Sequence, residues 1–178
     1  MEPANHNASP AKAPAVKATY EVVRNPQPQA IVVHCSDPRL QPAFENFIEH
    51  DLRLTNGSFI PIVIGGGAGV MAHPEQLPKE FKFLRDRLEF YREVFPTVGR
   101  VVLINHEDCH YYDSIKQKVF GFLGQQWRGV AQHARDDLPL VSRVFGHLLS
   151  HLGMTLELYY GKFADADRTR MSFEKVVP

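Results

Sequence analysis

The sequence predicts an α/β fold, a mainly parallel β-sheet of four to five strands flanked by helices. Three observations predict it. Short, β-branched apolar runs recur along the chain, amphipathic stretches of helical period separate them, and polar residues with chemical potential stand directly after the runs. Strands that alternate with helices call for right-handed crossovers, and crossovers leave the strands parallel.

Each element has its own justification. Ile31-Val32-Val33 is too short for a helix and apolar throughout, as a strand covered on both faces is. Residues 45–52 read as a short helix. A second strand covers Phe59 to Ile64, where Pro61 weakens the pattern or marks an irregular start. Leu77, Phe81, Leu84, Leu88, Tyr91 and Phe95 follow at spacings of three and four, the stripe of a long amphipathic helix that Pro96 and Gly99 end. Val101 to Ile104 is the third strand. Asp113 can cap a helix through Ile115, Val119, Phe122 and Leu123. Leu138, Val141, Phe145, Leu148, Leu149 and Leu152 form another stripe, closed by Gly153. Residues 155–160 alternate better and suit a position nearer the sheet edge. Residues 172–176, after the polar turn at 165–170, add an antiparallel edge strand. All these stripes are core.

Composition narrows the function. The chain has 178 residues, 20 Lys+Arg against 20 Asp+Glu, 44% apolar residues and two cysteines. That length supports a core without disulfide or metal staples. Zero net charge, with no basic block to displace counterions, argues against a nucleic-acid partner. No apolar run is long enough for a membrane span. Two cysteines make no disulfide framework and point to a reducing, cytoplasmic setting. Residues 1–28 read as a flexible Ala/Pro-rich N-terminal tail or arm. The first nineteen lack Leu, Ile and Phe and have no secretory apolar region. Tyr20 to Val23 is a segment that can dock on the body, and Asn25-Pro26-Gln27-Pro28 a semi-rigid lead-in. Residues 29–178 read as a single α/β domain.

A zinc expectation comes from the strand ends. His34-Cys35-Ser36-Asp37-Pro38-Arg39 follows the first strand, Gly65-Gly66-Gly67-Ala68-Gly69 the second, and Asn105-His106-Glu107-Asp108-Cys109-His110 the third. In parallel sheets the carboxyl ends of strands open into the ligand crevice. If strands one and three are neighbours, Cys35, His106 and Cys109 converge, and two thiolates with one imidazole suit Zn²⁺ while leaving a fourth position open. The alternative is that both cysteines are inert core thiols and His106 a satisfied loop histidine. Against it, the chain's whole cysteine supply sits at two strand ends beside polar residues. The glycine run lacks the last glycine of a dinucleotide fingerprint, Val70 standing there, so no organic cofactor is expected. His34, His110, Tyr111 and Tyr112 are candidates for lining a pocket, with packing an equal reading for each.

Cys35-Ser36-Asp37-Pro38-Arg39 and His106-Glu107-Asp108-Cys109 resemble the Cys-x-Asp-x-Arg and His-x-x-Cys motifs of the β-class carbonic anhydrases. The resemblance runs in outline from about residue 29 to the C-terminus. It implies Cys35, His106 and Cys109 as zinc ligands, and Asp37 with Arg39 as a catalytic dyad beside the metal. It also implies a carbonate dehydratase-like zinc lyase that hydrates carbon dioxide to bicarbonate by a metal-bound hydroxide. A small-molecule substrate and a homodimer or higher homo-oligomer belong to the same expectation. Two loops depart from the family. Its usual Arg-Asn-Ala-Gly after the second strand is reduced here to Ala68-Gly69, and His110-Tyr111-Tyr112 replaces glycines after the second cysteine. The metal site reads as retained and the substrate pocket as rebuilt. Two alternatives stay open: a non-catalytic zinc-binding relative, and a hydrolase of carbonyl sulfide or carbon disulfide. Asp37 is either a free carboxylate held by Arg39 or a fourth ligand.

Overall fold

A computed structural model describes residues 19–72, 74–75, 77–115 and 130–177. Most of the expected tail and the helix foreseen beyond Ile115 therefore lie outside the described residues. The apolar runs form β1 (Ala30–Cys35), β2 (Phe59–Ile64), β3 (Arg100–His106), β4 (Thr155–Phe163) and β5 (Met171–Val176). They pair in the order β2-β1-β3-β4-β5, the first four parallel and β5 antiparallel to β4. This is the mainly parallel α/β sheet that the alternation of elements predicts.

Register explains which runs read as uniformly apolar. β1 and β3 are central, and Ile31, Val32, Val33, Val101, Val102, Leu103 and Ile104 are all buried. Pro61 is tolerated because β2 lies at the sheet edge, where one side of the strand has no ladder to complete. The strands also run further than the apolar letters do. Backbone pairing carries β1 through His34 and Cys35, and β3 through Asn105 and His106. His34, Cys35, Asn105 and His106 are thus the last residues of strands rather than the first of loops.

Helices cover both faces. On one side lie α2 (Pro78–Val94), α4 (Val130–His151) and the 3₁₀ turn Gly67–Met71. Pro78 occupies the first turn of α2, where a missing N–H costs nothing. Its stripe meets the core as expected, with Leu84 and Leu88 fully buried and Phe81 meeting Phe145 of α4 at 5.0 Å. In α4, Leu138, Val141, Phe145 and Leu149 are buried, and this apolar face carries the helix through Pro139 despite the lost hydrogen bond. The opposite face receives α1 (Gln41–Asn46), which continues as a π-helical turn over Phe47–Asp51. That helix starts earlier than its apolar letters indicate, Pro42 standing in its first turn. A short α3 (His110–Ile115) follows β3.

Of the segment expected to dock, Val23 packs against Gly57, where an added Cβ would come within 3.0 Å of it. Tyr20 and Val22 stay exposed, at 87% and 81%. Among the described residues no helix is long and apolar enough to cross a membrane.

Candidate metal centre

The topology makes β1 and β3 neighbours, so their carboxyl ends lie side by side. Alternation along each strand then sorts the side chains between the faces. His106 projects toward α1, its ring 6.0 Å from that of Phe44, whereas Asn105 reaches the opposite helices through the Ala134 carbonyl. Cys109 returns to the same place from the end of the short loop between β3 and α3. One ligand atom from each of Cys35, His106 and Cys109 falls within 4.8 Å of the others, and all three residues are buried. Among the described residues no other His, Cys, Asp or Glu group is assembled in this way.

The backbone around the cluster is held at each entry. Ser36 N–H donates to the Ile64 carbonyl at 3.0 Å, and Gln41 Nε2 donates to the carbonyls of Cys35 and Asp37 at 3.0 and 2.7 Å. Glu107 ties the second loop to β4: its N–H meets the Gly161 carbonyl, and its carboxylate accepts from the Phe163 amide. Asp108 adopts φ 57°, the left-handed turn that lets the chain double back from His106 to Cys109.

Three observations test whether these residues fit a metal. His106 Nδ1 lies 2.7 Å from the Glu107 carbonyl, which can only accept, so Nδ1 carries the proton and Nε2 keeps its lone pair. That Nε2 is buried and has no hydrogen-bond partner among the described residues. Such an orphaned acceptor costs stability unless something binds it. The two sulfurs are 3.7 Å apart, with one thiol donating to the other. That hydrogen bond from Cys109 draws the Cys35 thiol down against the opposing effect of burial. The same bond, with burial, pushes Cys109 up. Two buried sulfurs beside a buried imidazole lone pair form a donor set for a soft to borderline cation, and zinc fits it.

Asp37 and Arg39 follow Cys35 by two and four residues, and Asp37 lies within electrostatic reach of His106. Arg39 Nε donates to both Asp37 oxygens, at 3.1 and 3.2 Å, and Nη2 donates to Oδ2 at 2.7 Å. This fork holds the Asp37 carboxyl below its ordinary range. Both of its oxygens are engaged by the guanidinium, the geometry of a held carboxylate.

The remaining sequence candidates separate. His34 lies on the same α1 side of the sheet as His106, its ring tilted against that of Phe44 at 4.8 Å, and it lines a cavity of about 560 Å³ with Gln41, Glu45 and Glu49. Burial lowers its pKa. His110 is exposed. Tyr112 is buried and structural: its oxygen accepts from Asn105 Nδ2 at 3.0 Å, and burial, then Asp137, raise its pKa. Asn105 Oδ1 also accepts from the Gly69 amide at 3.1 Å, fastening the glycine loop to β3.

Tyr111 explains the loop whose role the sequence does not disclose. It lies on the backbone of Gly65 and Gly66, and a Cβ on Gly66 would collide with its ring. Tyr112 fills the space beside Gly69 in the same way, its hydroxyl standing where a Cβ on that glycine would go. Glycines after β2 and tyrosines after Cys109 are therefore two halves of one exchange of bulk. Tyr111 also walls a cavity of about 360 Å³ with Ile64, Gly65, Lys79, Glu80 and Phe83. Sequence reasoning missed Asn105, Gln41 and Phe44 as supports; their proximity to the motifs was the only available signal.

No protein-family model and no curated protein matches the sequence. Among solved structures the chain is similar to tetrameric β-carbonic anhydrases of the filamentous ascomycete Sordaria macrospora, at 13% identity over 86% of this chain and 84% of that chain, TM-score 0.46. It is similar to a β-carbonic anhydrase of the fungal pathogen Aspergillus fumigatus at 16% identity over 84% and 76%, TM-score 0.46. Isoform I from the protozoan Trichomonas vaginalis, also a β-carbonic anhydrase, matches at 15% identity over 88% and 87%, TM-score 0.48. What this chain does chemically depends on its own side chains.

Proposed function

We propose that this protein holds one zinc ion through Cys35, His106 and Cys109 and hydrates carbon dioxide to bicarbonate. The observation that carries the reading is the buried His106 Nε2, without a partner among the described residues and gathered with two buried sulfurs. Bound zinc would supply a Lewis-acidic centre that lowers the pKa of water. The rest is the work of the chain. Cys35 and Cys109, as thiolates, offset the ion's charge. His106 offers Nε2 because the Glu107 carbonyl keeps the proton on Nδ1. Asp37, oriented by Arg39, presents a carboxylate oxygen that orients water and takes up its proton. Two thiolates leave water less acidified than three imidazoles do, so activity rises above neutral pH. A full rate already present at about pH 6.5 would contradict this ligand set.

The stacking of Tyr111 on Gly65 and Gly66 favours a second reading for the substrate, carbonyl sulfide or carbon disulfide in place of carbon dioxide, since it remodels the loop nearest the cluster. Zero net charge suits any of these small uncharged molecules, which need no electrostatic steering. Homo-oligomeric assembly and a reducing, cytoplasmic setting complete the proposal.

The test has two stages. Purified protein should contain about one equivalent of zinc; less than half an equivalent would sink the metal reading. Cys35→Ser should lose metal and activity together, while Asp37→Asn should keep the metal. Stopped-flow assays with each of the three substrates at about pH 8.5 then identify the reaction. Zinc without turnover on any of them would mark a non-catalytic zinc protein.

A further inference from the structure

The Asp37–Arg39 pair does not end at Arg39. Arg39 Nη1 donates to Asp108 Oδ2 at 3.1 Å, and Nη2 donates to the Asp108 carbonyl at 3.1 Å. The same Asp108 Oδ2 accepts from Arg168 Nη1 at 3.0 Å. Four charges therefore alternate in a line: Asp37, Arg39, Asp108, Arg168. The last comes from the turn between β4 and β5, 60 residues from Asp108. That turn is built to present it. Asp165 accepts from the Thr169 amide and hydroxyl at 2.8 and 2.6 Å, Arg168 takes φ 55°, and its guanidinium lies 5.6 Å above the Phe163 ring.

We infer that Arg168 is a positioning residue: by neutralising Asp108 it leaves Arg39 committed to Asp37, two residues beyond Cys35 of the Cys35–His106–Cys109 cluster. The role given to Asp37 rests on the proposed function; the linkage itself does not. Without Arg168, two carboxylates compete for one guanidinium. Asp108 gains in that competition, since it already holds Arg39 through both its side chain and its carbonyl. Arg39 Nε is the sensitive atom, because among the described residues its partners are the two Asp37 oxygens alone.

The experiment follows the Arg39 Nε–H resonance by NMR hydrogen exchange on the metal-free chain, with zinc uptake and thermal midpoint as companions. Arg168→Ala should speed exchange of that proton about threefold to fivefold, the scale of one exposed ion pair, at unchanged midpoint and zinc uptake. In an Asp108→Asn background the same substitution should add nothing, because the competing carboxylate is gone. Arg168→Lys, which keeps the charge, should recover much of the protection. In the zinc-loaded protein Arg168→Ala should lower kcat for the proposed hydration by a similar factor with KM little changed. Unchanged exchange in Arg168→Ala would overturn the inference, and so would an equal effect with and without Asp108. Failure to take up zinc would remove the proposed function while leaving the exchange result to decide the linkage.

Discussion

At Gly66 two constraints meet in one residue. Its φ of 81° disfavours any side chain, and Tyr111 occupies the place where a Cβ would stand. Gly66→Ala should therefore destabilise the protein by more than the roughly 1 kcal/mol of backbone strain alone. Adding Tyr111→Ala should recover the steric part and leave the strain, which urea unfolding of the two variants and their combination measures. Equal destabilisation by Gly66→Ala with and without Tyr111 would refute the packing account. Tyr112→Phe is milder: it removes the oxygen that accepts from Asn105 and should cost about 1–2 kcal/mol. The zinc-ligand candidates were legible because sulfur and imidazole are rare and their spacing carries meaning. The tyrosine–glycine exchange was not, because nothing in a run of glycines tells which distant ring will rest on it. The Asp37–Arg39 pairing was legible two residues apart; its extension to Arg168 required the return of β4 and β5.

Strands were the most readable elements, since β1 and β3 are covered on both faces and need apolar residues at every position. Their ends were less so. Polar letters at His34, Asn105 and His106 look like loop, but ladder pairing with β2 and β4 continues through them. The π-helical turn after α1 was unreadable for a related reason: its hydrogen-bond slip leaves the apolar positions Phe47 and Ile48 inside, where an α-helix would also put them. On the α1 face, Glu157 of β4 joins Arg100 of β3 at 3.0 Å and Lys175 of β5 at 3.4 Å, and accepts from Tyr159. Burial raises its pKa, but the bonds from Tyr159 and Arg100 outweigh it and the net shift is downward. Its contribution to stability is therefore complete above the unfolded glutamate value, about 4.3, and is lost as pH falls through the lower folded value. Unfolding measured between about pH 6 and pH 3 should show that loss in the wild type and a flatter profile in Glu157→Gln. Identical profiles would assign the sheet's acid sensitivity elsewhere.

For the whole molecule, a zinc ion bound only by the folded chain adds its binding free energy to stability. At a free zinc concentration about a thousandfold above the dissociation constant this is about 4 kcal/mol, or roughly 10 °C in thermal midpoint for a chain of this size. Removal of metal by a chelator should lower the midpoint accordingly, and the difference should vanish in Cys35→Ser. The donors themselves have unequal histories. His106 and Cys109 are three residues apart and can meet in a disordered chain, but Cys35 lies 74 residues from Cys109. It arrives only after β1 and β3 have paired, which requires the intervening β2 and α2 to form a closed crossover. An ion captured early by the local pair would remain loosely held until that long-range pairing is made, so tight zinc retention would record completed folding. With the proposed ligands, the slow, non-local step of assembly would also be the one that closes the coordination set, and a chain stalled before it would lose its metal to the first competing ligand.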